Sequence, residues 1–118
     1  MPDARELMSG RVYRYRDQAE LDRSLYARGT VSDVTPFLDA YARESAKARS
    51  ALDCRVGVSY GPKPEERLDI FPARKPGSPV FVFIHGGYWR SLDASDSSFM
   101  APQFIDAGAA VVAVNYEL

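Results

Sequence analysis

Val80-Phe81-Val82-Phe83-Ile84-His85-Gly86-Gly87-Tyr88-Trp89 is the stretch of this chain from which the fold can be read. Its first five residues are all apolar, β-branched or aromatic, and are preceded by the breakers Pro76, Gly77 and Pro79. A run of this kind, without polar alternation, predicts a strand buried on both faces in the middle of a parallel sheet. Gly86 and Gly87 then let the backbone turn sharply and approach a ligand closely, leaving N–H groups free to point into a cleft. Open α/β sheets hold their ligands at this place, just past the C-terminal end of a strand.

Working outward, the polar stretch Ser91 to Ser98 leads into a helical segment through Phe99, Phe104 and Ile105 that stops at Gly108, with Pro102 confining or kinking it. Ala109 to Val114 forms a second buried strand. Upstream, Arg55 to Tyr60 alternates with Val56 and Val58 on one face, and Leu68, Ile70 and Phe71 follow the turn Gly61-Pro62-Lys63-Pro64, which predicts an antiparallel hairpin. The order strand, strand, strand, helix, strand is an α/β arrangement: an antiparallel edge hairpin, then one βαβ unit. The strand Ala109 to Val114 is left as an exposed edge.

The N-terminal third carries helices. Thr35-Pro36 has the form of an N-cap followed by proline at the first helical position. An amphipathic helix over residues 35–53 is expected, with Leu38, Tyr41, Ser45, Ala48 and Leu52 on its packed face. Residues 1–34 read as an arm with a short helix from Asp17 to Arg28, closed by Gly29. Within the arm, Arg11, Arg14 and Arg16 interleave with Tyr13 and Tyr15, a pattern met in nucleic-acid contact patches. Acidic residues on both sides favour a solvated segment whose tyrosines lie on the body. The chain is thus expected to divide into an arm, 1–34, and an incomplete α/β domain, 35–118, whose strands and glycine loop occupy 54–118.

Composition narrows the partners. A hydrophobic content of 46%, with 26% charged and 12% aromatic residues, is that of a folded domain. The net charge of -1 attracts neither nucleic acid nor an anionic membrane. One cysteine and one histidine cannot make an internal disulfide or a structural zinc site, so Cys54 reads as a small buried filler. No signal-peptide pattern and no run of about 20 apolar residues occurs, which predicts a cytoplasmic protein. No cofactor and no metal are expected.

The sequence His85-Gly86-Gly87-Tyr88-Trp89 after an apolar strand resembles the oxyanion loop of arylformamidases (kynurenine formamidases) and related carboxylesterases, which carry His-Gly-Gly-x-Trp. The resemblance extends over residues 55–118, including Val114-Asn115-Tyr116. It implies the N-terminal part of an α/β-hydrolase sheet preceded by a helical arm, and a small-molecule ester or amide substrate in the complete enzyme. It makes the backbone N–H groups of Gly87 and Tyr88 the oxyanion donors, with Gly86 permitting the turn and His85 anchoring the loop by packing and hydrogen bonding. Trp89 either packs under the loop or lines the acyl pocket, with packing favoured. Such donors, about 3 Å from the developing charge, are each worth on the order of 100-fold to 1,000-fold in rate.

The departure from that pattern is large. No Gly-x-Ser-x-Gly follows the glycine loop, and the only histidine lies within that loop. In this fold the nucleophile, the acid and the histidine follow later strands. Ser91, Ser95, Ser97 and Ser98 therefore lack a base, and about half of the fold is expected to be missing. Two readings stand: an inactive N-terminal portion of a serine esterase or amidase, a fragment open to edge-strand self-association, or a non-catalytic module that folds alone or pairs through its open sheet edge with another chain.

Overall fold

The computed structural model describes residues 17–118. The chain divides into two compact units, Met1–Val34 and Thr35–Leu118. In the first, helix α1 (Gln18–Leu25) opens on Asp17, which has an extended backbone and whose side chain accepts the Glu20 N–H at 2.9 Å. This satisfies one of the amides that a helix start leaves without an intrahelical acceptor. The helix ends earlier than expected. Tyr26 N–H closes onto Asp22, and the chain tightens into a 3-10 turn, Ala27–Thr30, which holds Gly29 in its interior instead of at a left-handed stop. The interleaved Arg11, Tyr13, Arg14, Tyr15 and Arg16 lie outside the described residues.

The second unit begins with helix α2 (Thr35–Ala51), two residues shorter than the expected 35–53. Ser45 and Ala48 are its buried positions. Four strands follow: β1 (Arg55–Ser59), β2 (Arg67–Phe71), β3 (Val80–Ile84) and, after helix α3 (Ala101–Asp106), β4 (Ala110–Val114). They form one mixed sheet in the order β1-β2-β4-β3. β1 and β2 are an antiparallel hairpin, β2 runs antiparallel to β4, and β3 is parallel to β4. The architecture is α/β.

Pro102 sits in the first turn of α3, where a missing N–H costs no hydrogen bond. The helix ends in a Schellman motif. Gly108, at φ +95°, donates to Ile105 O, and Ala109 donates to Phe104 O at 2.9 Å. This turn delivers the chain directly into β4. The core lies between the sheet and the helices: Phe71, Met100, Ala101, Ile105 and Val111, with Phe81, Phe83, Phe104, Leu52 and Cys54 packed around them. The Phe81 and Phe104 rings stack with centroids 3.9 Å apart. α2 is pinned to a short 3-10 turn, Ala94–Asp96, and its exit by Ser98 N–H donating to the buried Ser45 hydroxyl at 3.0 Å and by Arg49 donating to Ser95 O.

Three expectations are corrected. β4 is not an edge: it lies between β2 and β3, because the crossover through α3 returns the chain to the inner side of β3. β3 is therefore the edge of the described sheet, opposite β1. β3 is also not buried on both faces. Phe81 and Phe83 face the core, but Val80, Val82 and Ile84 are exposed on the opposite face, beside the half-buried Val112 and Val114. Finally, β1 lacks the buried face that its alternation suggested, since every residue in it is exposed. A bulge between Arg55 and Val58 shifts its register. Gly57, at φ +70°, supplies the conformation, and its N–H donates at 2.9 Å to the buried carboxylate of Asp69.

Candidate active site

The parallel register places Ile84 beside Val114, so the segments leaving β3 and β4 run side by side. Beside them opens a cleft of about 530 Å³, lined by Ile84, Val114, Tyr116 and Glu117 together with His85, Gly86, Tyr88 and Trp89. It is mostly apolar and within the ordinary size range of small-molecule sites.

The loop over this cleft is an unusual piece of backbone. Gly87 stands at φ +114°, and a β-carbon there would lie 2.2 Å from the Ser91 carbonyl oxygen. Arg90 N–H returns to Gly87 O at 3.0 Å, closing a turn whose two central residues, Tyr88 and Trp89, both have φ +55°. Two positive φ values are the signature of a type I′ turn, which favours asparagine or glycine, and for bulky side chains they cost on the order of 1 kcal/mol each. Strain of this kind collects at functional sites. The N–H groups of Gly87 and Tyr88 donate to no acceptor among the described residues. The conformational demand falls on Gly87 and not on Gly86, around which a β-carbon would meet open space.

His85, 3% exposed, lies beneath the loop. Its Nδ1–H donates to Gly86 O at 2.8 Å and its ring stacks on Tyr116 with centroids 4.3 Å apart. Nε2 is buried without a partner among the described residues. Tyr116 OH donates in turn to His85 O at 2.5 Å. Trp89 is 72% exposed, so packing beneath the loop is not its role. The turn's left-handed backbone swings its ring out to line the cleft beside Tyr88.

The residues that hold the arrangement together include two to which sequence reasoning assigned no role. Asn115 accepts from Ala94 N–H through Oδ1 at 3.1 Å and donates through Nδ2 to Glu65 O at 3.1 Å, while its carbonyl receives Tyr60 OH at 2.7 Å. It thereby ties the hairpin turn, the 3-10 turn and the end of β4. Tyr116 clamps the loop as described. The signal was present: a polar residue and then a tyrosine, directly after an apolar strand, at the ligand-bearing end of the sheet. Glu117, on the cleft wall, pairs with Lys63, and this hydrogen bond raises the Lys63 pKa.

None of the loop serines hydrogen-bonds to the imidazole. Ser91 Oγ donates to Gly87 O and Ser97 Oγ to Asp93 O. Among the described residues, no group of three His, Cys, Asp or Glu side chains could hold a metal ion, and no helix is long and apolar enough to cross a membrane.

A mixed α/β sheet whose parallel strands end at a glycine loop over an apolar cleft defines the class of this unit. Comparison with known proteins narrows it. The chain is 36% identical over 87 residues to kynurenine formamidase of Danio rerio, covering 72% of this chain and 30% of that protein. Against the kynurenine formamidases of Salmo salar and Drosophila melanogaster the identities are 34% and 36%, over 72% and 69% of this chain and 30% and 29% of those proteins. The chain thus spans about 30% of the length of these curated relatives. A crystal structure from a Silicibacter species, provisionally described as a thioesterase, matches with a TM-score of 0.74 and 31% identity, over 84% of this chain and 38% of that one. No protein-family profile matches the chain.

Proposed function

We propose that this chain forms the oxyanion-loop portion of an arylformamidase-like hydrolase, acting on a carboxylic ester or formamide. The observation that carries this reading is the strained Gly87-Tyr88-Trp89 turn, which leaves the Gly87 and Tyr88 N–H groups without acceptors among the described residues, in a loop whose Gly86, Tyr88 and Trp89 line an apolar cleft. When a nucleophile adds to the substrate carbonyl, negative charge gathers on its oxygen, and two preorganised amides stabilise that charge more than they stabilise the ground state. His85 and Tyr116 hold the loop. Trp89 and Tyr88 offer aromatic surface to the part of the substrate that does not react. The similarity to three kynurenine formamidases supports formamide hydrolysis, and the structural neighbour supports acyl transfer more broadly.

No Gly-x-Ser-x-Gly follows the glycine loop in these 118 residues. Gly57-Val58-Ser59-Tyr60-Gly61 has that spacing but lies on strand β1 and the turn after it, where Ser59 Oγ donates to Gly61 O and accepts from Arg67. The single histidine has its Nδ1 engaged by Gly86 O. The chain by itself should therefore hydrolyse a short-chain aryl ester or an aryl formamide at background rate. A chimera tests the site. The matching 87-residue segment of the Danio rerio enzyme is replaced by that of this chain, and formamidase activity is measured with and without Gly87→Val. Retained activity that falls at least about tenfold in kcat with the valine supports the assignment. An active chimera indifferent to Gly87→Val removes it.

A further inference from the structure

The segment that leaves β4 is held from two directions. Its middle residue, Tyr116, reaches the glycine loop, with its hydroxyl donating to His85 O and its ring stacked on the imidazole. The residues on either side of it reach the turn of the β1–β2 hairpin. Asn115 N–H donates to Arg67 O at 2.9 Å, its Nδ2 donates to Glu65 O at 3.1 Å and its carbonyl receives Tyr60 OH at 2.7 Å, while Glu117 pairs with Lys63. One turn thus fastens the residues before and after Tyr116. The turn is itself cross-linked. The Glu66 carboxylate accepts Lys63 N–H at 2.9 Å, and the Arg67 guanidinium donates to Ser59 Oγ at 2.8 Å and to Glu66 O at 3.1 Å. A satisfied polar network of this kind is stiff, so it offers a fixed point to whatever it holds.

We infer that Tyr60 and Lys63 are positioning residues for the oxyanion loop, acting through Asn115 and Glu117 on Tyr116, and through Tyr116 on His85. Their bearing on catalysis rests on the oxyanion-loop reading above; the mechanical link from turn to loop does not. Tyr116 keeps its bond to His85 O only while the backbone on both sides of it stays in place, because a hydrogen bond weakens steeply as its angle is lost. A loop that shifts carries its amide donors with it, and misplacement by about 1 Å costs on the order of 100-fold in rate.

Two probes read the link in the 118-residue chain. His85 is the only histidine, so its Hε1 proton gives a single NMR line that the ring current of Tyr116 displaces. Arg90 N–H, bonded to Gly87 O, reports closure of the loop turn by hydrogen exchange. Tyr60→Phe and Lys63→Met, combined and measured at constant pH, should move the His85 line toward its urea-unfolded position and speed exchange at Arg90 by about threefold or more, as expected when one hydrogen bond and one exposed ion pair are lost. A general loss of stability would leave the native-state line where it is. Lys63→Arg, which can still pair with Glu117, should keep both probes at the parent values. Arg74→Met, which removes a comparable exposed pair with Asp106, should do the same. In the Danio rerio chimera the double variant should lower kcat by about threefold or more with KM within about twofold of the parent. Both probes unmoved in the double variant would overturn the proposal, as would an equal response to Arg74→Met. Probes that move while kcat stays constant leave the link standing and count against the oxyanion-loop reading.

Discussion

Replacing Gly87 by alanine perturbs the loop at the point where its geometry is most demanding. The residue stands at φ +114°, well outside the region open to an L-residue with a β-carbon, and the added carbon would sit 2.2 Å from Ser91 O. Backbone conformations of this kind cost about 1–3 kcal/mol for a non-glycine residue, and relieving the contact requires the Ser91 carbonyl to retreat by close to 1 Å. If the turn holds, the variant should lose about 2–4 kcal/mol of stability, a large share of what a domain of this size possesses. If the turn relaxes instead, the global loss shrinks but the Arg90 N–H bond to Gly87 O is broken. Urea unfolding reads the first outcome, and amide hydrogen exchange at Arg90 reads the second. Gly86→Ala is the internal control, because its β-carbon meets open space, and it should stay within about 0.5 kcal/mol of the parent. A Gly87→Ala protein that matches Gly86→Ala in both measurements would refute the loop geometry and the donor arrangement built on it.

Tyr116→Phe removes the hydroxyl that donates to His85 O and should cost about 1 kcal/mol in urea unfolding while leaving the ring stack in place. Asn115→Leu strips Ala94 N–H of its acceptor and Glu65 O of a donor, and should cost about 1–3 kcal/mol, with loss of amide protection at Ala94. Burial chiefly raises the Cys54 pKa, and the nearby Asp69 carboxylate adds to the effect. Alkylation of the native thiol should therefore reach half its maximal rate at higher pH than in the urea-unfolded chain. The raised value also fixes the sign of its stability contribution, which is fully present below the unfolded thiol's pKa and lost as pH climbs through the folded one; equal titration curves for native and unfolded thiol would count against it.

What the sequence conveyed and what it withheld have separate physical causes. Elements governed by local chemistry were legible. The breakers around residues 61–64, the stop at Gly108 and the apolar runs at 80–84 and 110–114 act within a few residues of themselves, and the structure has a turn, a Schellman cap and two strands there. Strand order was not legible, because hydrophobic pattern says that β4 is an inner strand or an edge only when its neighbours are known. The same ambiguity affects β3. A continuous apolar run is compatible with two covered faces or one, and periodicity cannot choose between them. β1 misled for a different reason: Gly57 resets the register in mid-strand, so Val56 and Val58 do not form the buried row that simple alternation implies. Within the site, the glycine loop stood out by composition. Asn115 and Tyr116 did not, since their partners lie 21 to 55 and 31 residues away and become neighbours only once the strands have paired.

That register has a consequence for which changes in length the chain can absorb. β3 and β4 finish level with one another, and Tyr116 reaches the His85 carbonyl because it lies two residues beyond Val114, on a particular side of the sheet. One residue added between Val111 and Val114 would reverse that side, carrying Tyr116 away from the imidazole and putting its neighbour in its place. Residues added between Lys75 and Ser78, in the turn before β3, would leave the relation untouched. Insertions and deletions should therefore be tolerated in the connections of this domain and excluded from its two parallel strands, whose lengths act as a ruler for the loop.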